Sequence, residues 1–540
     1  IHTDLFKRRI LGLTSYFRSA QEELLPAYEK TDSGENYHIV PVSMSEYQFS
    51  AYQKIRGEER KQEAQRKKKA KKPKADDEAE IPSSYRIYSR SACNFCFPEE
   101  YPRPRVTLES GNDINENIFN GLTKEMRENQ DDFIEGDDEI SQQDETVIMN
   151  YQKRIKDALD YLEASAILQK GPDGLDKYSS KFAKVLENLQ KAEYRGLHLL
   201  YSQFRTLEGI GILKIILEKN GFVEFKLART GGDWTIEHFD ENPEAPRFVL
   251  YTGTETAEEK EIIRNIFNSS WDLVPPSIVS VLKRRHENNI FGELIKLMMI
   301  TSSGAEGINL RNTRYVHIIE PYWNMVRIDQ VVGRARRICS HEDLPKELRT
   351  VKVMVYLSKL TEEQIQLDGN IEMKLKDISK REYEVKEKGK KVMKHLVFTT
   401  DEYLFEIAQI KDSINRQILT AVKETAMDCT LYNKNPDEPL ICYNYGSVTK
   451  NDFGSYPTFE IDKAYDPKLE VAKKTMELVT IELDGVKYKM NKKTHIVYSI
   501  ESYEKMKAGV LRELEVVGKL VTIIEKVDGE KVKVPKIVAI

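Results

Sequence analysis

Cysteine is scarce. Five in 540 residues are too few to staple a chain of this size, so a disulfide framework is excluded and a reducing compartment fits. Long apolar runs are also missing: no stretch approaches the roughly 18 consecutive apolar residues of a membrane helix, which excludes a membrane span. Neither charge dominates. The 83 Lys and Arg against 88 Asp and Glu leave a net charge of −5, which excludes a uniformly basic nucleic-acid coat but leaves room for a local basic groove. Ile1 to Phe17 lacks the charged-then-apolar pattern of a signal peptide, and the chain, opening on Ile, reads as a piece of a longer polypeptide. No internal repeat is present.

What is present is a charge-rich chain, 40% apolar and 32% charged, long enough for three to four domains at about 150 residues each. Residues 1–105 read as a bracing segment that contains a charged insertion at about 57–82. Arg60 to Lys74 holds nine positive charges and one negative. Such a block repels itself and has little to bury, so a disordered insertion is expected, with a nuclear address or a nucleic-acid arm as the other reading. Residues 106–177 read as an acidic linker and a helix, the acidic part running from Glu128 to Glu145.

Residues 178–378 have the texture of a parallel α/β sheet. Short apolar runs at Leu197–Ser202, Arg247–Tyr251, Leu294–Thr301, Tyr315–Glu320 and Val351–Leu357 alternate with helical patterns. Helices are expected over Phe204–Lys219, Thr256–Asn268 and Val326–Ile338, the second opening with a capping box, Thr256 to Glu259. Residues 379–435 read as helical. There Thr399 and Glu402 form a capping box, and Ile407, Ile410, Ile414 and Ile418 recur as one buried stripe. Residues 436–540 read as a small β-rich module, with tight hairpins at Asp484-Gly485 and Asp528-Gly529.

Two segments can carry chemistry. In Thr301 to Leu310 (TSSGAEGINL) a strand ends in a glycine-bracketed turn, and open parallel sheets bind ligands outside the carboxyl ends of their strands. Gly304 and Gly307 let a backbone approach phosphate or sugar, and Thr301, Ser302 and Ser303 offer hydroxyls. A plain βα turn would look the same. Gln330 to Arg337 (QVVGRARR) puts arginines on a helix with glycine in its interior, where glycine costs about 1 kcal/mol relative to alanine. Arg334 and Arg337, three apart, share a helical face, and guanidinium forks match phosphate oxygens. An arginine inserted against a transferring phosphoryl group is worth roughly 10³ to 10⁵ in rate in GTPases. A DNA-facing basic helix or a solvated charge cluster is the other reading.

Together Tyr201-Ser202-Gln203-Phe204, the Thr301–Asn309 turn and Gln330–Arg337 resemble motifs IV, V and VI of superfamily 2 helicases, in order and interval, and most closely the Swi/Snf-like branch. Arg8–Phe17 (RRILGLTSYF), Ser89–Pro98 (SRSACNFCFP), Glu320–Asn324 (EPYWN), Arg337–His341 (RICSH) and Thr399–Cys429 are similar to the helicase-ATPases of large DNA viruses. That group includes the poxvirus nucleoside triphosphate phosphohydrolase I and early transcription factor helicase subunit. The resemblance covers residues 1–430 in patches and leaves the last hundred residues unmatched.

The resemblance implies a RecA-like lobe that supplies Gln330, Arg334 and Arg337 to the γ-phosphate side of ATP, the arginines as fingers. It implies that Gly304, Glu306 and Gly307 couple the nucleotide cleft to the nucleic-acid groove, and that Ser202, Gln203, Thr301 and Ser303 touch the nucleic-acid backbone. DNA is the favoured nucleic acid. RNA polymerase or transcription factor subunits are further partners, and a cytoplasmic viral factory or virion is the expected location, with the lysine run leaving the nucleus open. A non-catalytic module docking polymerase or nucleic acid is the rival reading.

One part of the family pattern is missing. A phosphate loop needs Gly-Lys-Ser/Thr, in which Lys neutralises phosphate and the hydroxyl holds Mg²⁺. The two Gly-Lys pairs, Gly389-Lys390 and Gly518-Lys519, are followed by Lys391 and Leu520. Asp401-Glu402 mimics the Mg²⁺-binding acidic pair, but it follows the arginine motif, the wrong order, and the capping box explains it. ATP and Mg²⁺ are therefore expected to sit mainly on a first lobe outside this sequence, and the chain alone to hydrolyse ATP negligibly. Cys93 and Cys96 have the spacing of half a zinc site that Cys339 and His341 would complete; an aromatic anchor segment is the other reading. Trp323 can stack on a base or pack inside.

Overall fold

The structure is a computed structural model. It describes residues 3–15, 24–70, 86–104, 142–252, 255–301, 307–366, 382–387, 390–395, 398–432, 440–442, 478–483, 485–492, 494–507, 514–527 and 530–538. The chain divides into two compact units, Phe17–Leu419 and a second made of Ile1–Tyr16 with Thr420–Ile540.

Among the helices are α1 (Thr3–Ile10), α2 (Glu46–Ala70), α3 (Ile87–Asn94), α4 (Gln142–Ala164), α5 (Ser180–Gln190), α6 (Ile210–Lys219), α7 (Ala257–Phe267), α8 (Pro276–Lys283), α9 (Met325–Ala335), α10 (Thr400–Thr425) and α11 (Ile500–Lys507). The larger unit is built on an eight-stranded parallel sheet. Its strands are β1 (Ala27–Tyr28), β2 (Tyr37–Ser43), β3 (Leu197–Tyr201), β4 (Val223–Glu224), β7 (Arg247–Tyr251), β8 (Leu297–Ile300), β9 (Thr313–Ile318) and β10 (Thr350–Lys359); β5 (Leu227–Thr230) and β6 (Asp233–Ile236) pair antiparallel as a separate hairpin. The path across the sheet is β1-β10-β9-β3-β8-β7-β4, with β2 also on β10.

The five strands expected from apolar runs are all present. Their inner residues alternate between two cores: Leu197, Leu199 and Tyr201 of β3 face one and Leu200 the other, as burial on both sides of a parallel sheet requires. β1 and β2 were not anticipated. They come from the segment read as a brace, and they extend the sheet in parallel register, Tyr37–Ser43 against Val353–Lys359.

Three helical expectations shift. α6 starts at Ile210 rather than Phe204, because the chain first turns tightly: a Cβ on Gly209 would lie 1.8 Å from the Phe204 carbonyl oxygen. α2 runs on to Ala70 through residues expected to be disordered. Gln, Glu, Ala, Lys and Arg are all strong helix formers, and no Gly, Pro or β-branched residue interrupts Lys61–Ala70. The isoleucine stripe of α10 is not buried: Ile410, Ile414 and Ile418 are 48%, 51% and 48% exposed, while Leu404, Phe405 and Ala408 turn inward instead. Both N-caps form, but only the Thr399–Glu402 capping box closes in both directions. Thr256 accepts from the Glu259 amide, and Thr399 and Glu402 bond reciprocally through backbone amides and side chains.

The smaller unit holds an antiparallel sheet of β13 (Leu478–Leu483), β14 (Val486–Asn491), β15 (Ile496–Ser499), β16 (Val516–Val527) and β17 (Glu530–Val538) in sequential order. A further hairpin, β11 (Glu382–Glu387) with β12 (Lys390–His395), belongs to the larger unit. Gly485, at φ +77°, turns β13 into β14 as the Asp-Gly signal predicts. Residues 528–529 lie outside the described residues, between strands paired Val527 to Glu530. Cys429 and Cys442 form a disulfide with Cα atoms 5.7 Å apart. One bridge among five cysteines is no framework, but it departs from the reducing compartment that their scarcity suggested.

Candidate functional site

In sequence the chain passes from β8 to β9, but β3 lies between them in the sheet. This is a topological switch point, and the crevice outside the strand carboxyl ends there is where such sheets take ligands. The residues leaving those ends are Ser202 and Gln203 after β3, Thr301 after β8 and Glu320 after β9.

Glu320 organises this rim. It has no solvent exposure and accepts hydrogen bonds from the Ser202 hydroxyl at 2.7 Å, the Gln203 backbone amide at 2.9 Å and the Asn94 side-chain amide. Burial drives its carboxyl pKa upward, opposed by the Gln203 amide, Lys181, Ser202 and Arg90. The Gln203 side-chain oxygen accepts from Arg90. Asn94 accepts from the Lys181 ammonium at 2.9 Å, and Lys181 also reaches the Ile319 carbonyl at 3.2 Å and pairs with Asp401. A polar network thus runs from the loop after β3 to the first turn of α10.

Ser202 and Gln203 were expected to touch a nucleic-acid backbone. The structure encloses both and uses the Ser202 hydroxyl and the Gln203 amide on Glu320, so these groups hold the rim rather than line its surface. Thr301 is also buried, its hydroxyl donating to the Thr252 carbonyl at 3.3 Å. Ser303, Gly304 and Glu306 lie outside the described residues. Gly307 has φ +73° on exposed backbone, with open space where a Cβ would stand.

α9 starts at an Asn324 N-cap, whose side chain accepts from the Arg327 amide. Gln330 is exposed on it and Arg334 is half-buried. The helix ends at Ala335, three residues short of the expected Ile338. Ser340 is the reason: its hydroxyl takes the Ala335 carbonyl at 3.1 Å and receives the Arg337 amide at 3.3 Å, closing the end side chain to backbone. Arg337 therefore does not share a helical face with Arg334 but lies in the following turn. Its guanidinium donates from Nη2 to the Ile308 carbonyl at 3.1 Å and from Nε to the Gly333 carbonyl at 3.3 Å. The Leu310 amide donates in turn to the Arg334 carbonyl at 3.1 Å. The arginine segment and the turn that begins at Thr301 are thus laced together, and a guanidinium with five N–H groups keeps donors beyond the two used here. Gly333 has open space at its Cβ position, so nothing in the described packing asks for glycine there.

Residues 276–339 match the family model of the helicase conserved C-terminal domain. That stretch runs from α8 through α9. Over 93% of its length it is 25% identical to a protein of Acanthamoeba polyphaga mimivirus named as an ATP-dependent RNA helicase, 59% of which is covered. Over 60% of its length it is 26% identical to the termination factor NPH-I homolog of African swine fever virus, covering 43% of that protein. The chain thus spans about three-fifths and about two-fifths of these relatives. Among solved structures it is similar to the C-terminal part of the Fun30 ATPase domain, with 15% identity, a TM-score of 0.32, and coverage of 62% of this chain and 86% of that one.

The remaining candidates are placed as follows. Cys93 and Cys96 are buried with thiol pKa values pushed up by burial, and among the described residues no three His, Cys, Asp or Glu side chains gather as a metal site would need. His341 bonds Ser340 and the Thr313 carbonyl. The Lys411 ammonium stands 3.8 Å over the Trp323 ring, covering a face that a base would use. Sequence reasoning missed the roles of Lys181 and Asn94 and read Asp401 only as part of a capping box. The one available signal was a lysine at an inward position of α5, in step with Val185 and Asn188.

Proposed function

We propose that this chain is the second motor lobe of an ATP-dependent nucleic-acid helicase or translocase. It offers Arg334 and Arg337 to the γ-phosphate of ATP seated mainly on another lobe, with Gln330 beside them. The observation that carries this reading is the lacing of the arginine segment to the turn after β8: Arg337 to Ile308, and Leu310 to Arg334. These bonds hold the Arg337 guanidinium against the turn that leaves β8, and space is open at the Gly333 Cβ position beside it.

These residues suit an anionic phosphate. They do not suit Mg²⁺, which takes carboxylate and hydroxyl oxygens that do not gather among the described residues. When bound, ATP and Mg²⁺ supply the cleavable phosphoanhydride and its charge neutralisation. This chain's share is to orient and stabilise charge from the γ side, to hold the arginine turn rigid through Ser340 and Ile308, and to present the turn at 301–307 to nucleic acid. In this reading Gly304, Glu306 and Gly307 couple the two ligands and Ser303 touches the nucleic-acid backbone, whereas Thr301, buried with its hydroxyl on the Thr252 carbonyl, holds the end of β8. Double-stranded DNA is the substrate the Swi/Snf-like motifs favour, and action in viral transcription or genome handling is the setting that the relatives favour.

The test joins this chain to a lobe bearing a Gly-Lys-Ser/Thr loop and measures nucleic-acid-stimulated ATP hydrolysis. Turnover is expected in the joined protein and not in residues 1–540 alone. Arg334→Ala is expected to lower kcat by roughly 10³ with a smaller effect on KM. Unchanged kcat in Arg334→Ala would sink the reading.

A further inference from the structure

We infer that the distal part of α2 is a rigid basic arm that enters the major groove of duplex DNA. This deepens the nucleic-acid part of the proposed function and rests on it. The root of α2 is locked into the larger unit. Tyr52 and Arg56 are fully enclosed, and Arg56 pairs with Glu59 at 3.2 Å. Glu59 accepts from the Tyr88 and Ser89 backbone amides at 2.9 and 3.0 Å, at the start of α3. A carboxylate on the positive end of a helix fixes the direction of α2 at this point.

Beyond that anchor the helix continues for ten more residues, Lys61–Ala70, or about 15 Å at 1.5 Å per residue. The segment reads KQEAQRKKKA, with five basic residues and one acidic. At 100° per residue, positions 61 and 68 fall close together, and 69, 66 and 67 follow at roughly 80°, 140° and 240° around the axis. Basic positions therefore surround the helix, and the only apolar residues are Ala64 and Ala70. A helix without an apolar stripe has nothing to lay against a protein surface. One charged on all sides suits a channel walled by phosphates on both sides. The major groove of B-form DNA, about 12 Å wide, admits an α-helix, whereas the deep, narrow major groove of A-form RNA does not. The chain's net negative charge concentrates this attraction in the arm.

The experiment uses the full chain. Fluorescence anisotropy compares wild type with a variant carrying Lys61→Gln, Arg66→Gln, Lys67→Gln, Lys68→Gln and Lys69→Gln, on a 25-base-pair DNA duplex and on the RNA duplex of the same sequence, over a salt series. Gln retains helix propensity, and circular dichroism and thermal melting check that the fold is unchanged. The expected result is that the variant binds DNA on the order of 10²-fold more weakly at about 0.1 M salt. The slope of log K against log salt should fall by about 0.9 for each phosphate that the variant no longer neutralises. Duplex RNA affinity should change far less.

Equal DNA affinity and slope in variant and wild type would overturn the arm and leave the charge run to a protein receptor. An equal weakening on DNA and RNA would overturn the groove placement. If wild type itself binds neither duplex, the nucleic-acid part of the proposed function fails as well. That outcome is distinct from failure of the arm alone, in which both proteins bind.

Discussion

The Lys181 ammonium and the Asp401 carboxylate meet at 2.5 Å with neither side chain exposed to solvent. They stand 220 residues apart in sequence and join α5 to the first turn of α10. Lys181 also donates to Asn94 and the Ile319 carbonyl, and Asp401 accepts from the Ser358 amide at 3.1 Å. The pair therefore fixes the backbone just before Glu320 and at the end of β10.

Removing one partner leaves the other as an uncompensated buried charge. Asp401→Ala and Lys181→Met should each destabilise the larger unit by about 3–5 kcal/mol, read as a lower urea midpoint. The double variant Lys181→Met/Asp401→Leu should recover much of that stability, since the surviving charge is gone. Two single effects that simply add would contradict the pairing.

A second buried chain of hydrogen bonds makes the fold sensitive to acid. His198 Nε2 faces the Tyr194 carbonyl at 3.1 Å and must donate to it, so its Nδ1 accepts from His317 Nε2 at 3.0 Å. His317 Nδ1 then accepts from the Tyr356 hydroxyl at 2.9 Å, which accepts from Asn188 at 2.9 Å. With both rings neutral, every tautomer follows from that one carbonyl. Burial lowers both imidazole pKa values, His317 to about 3. The unfolded chain thus binds protons that the native state refuses. This contribution to stability is full above about pH 6.5 and falls below it, by up to ~1.4 kcal/mol per pH unit for each ring. Urea midpoints measured from pH 7.5 to 5 should show this slope, and His317→Gln should flatten it. A midpoint independent of pH in wild type would contradict the neutral pair.

How much of this was legible beforehand depends on the distance over which each signal acts. The strands at Leu197, Arg247, Leu297, Thr313 and Thr350 were readable because a parallel strand buried on both faces is a continuous apolar run. The Thr399–Glu402 box was readable because its bonds span three residues. The isoleucines of α10 misled because periodicity shows that a helix has an apolar side, not what covers it: Phe405 and Ala408 reached the core and Ile414 did not. Arg337 was assigned to a helix that Ser340 terminates, a side-chain cap that helix propensity does not encode. The Glu320 network joins residues from Asn94 to Asp401, and no local pattern marks partners that only the sheet topology brings together.

Gly333 separates what the fold wants from what the motor wants. Space is open where its Cβ would stand, so Gly333→Ala should be accommodated and should stabilise α9 by up to about 1 kcal/mol, the usual gain in a helix interior. If another lobe or a nucleotide approaches this surface, the same methyl group intrudes on that approach. The expected combination is a raised melting temperature with nucleotide turnover lowered at least tenfold in the two-lobe protein. A variant that is both more stable and fully active would show that the surface is empty in the working state.

Arg337 has two roles that substitution can pull apart. Its bonds to the Ile308 and Gly333 carbonyls are structural, and Arg337→Ala should reduce stability by about 1 kcal/mol through their removal. A phosphate interaction would add a decrease of roughly 10³ in kcat. Arg337→Lys distinguishes the two, because an ammonium reaches a carbonyl but lacks the planar fork that engages a carbonyl and phosphate oxygens together. Stability should largely return in Arg337→Lys while kcat stays low. If kcat returns with stability, the fork is not used on phosphate, and Arg337 serves only to tie the end of α9 to the turn at Ile308.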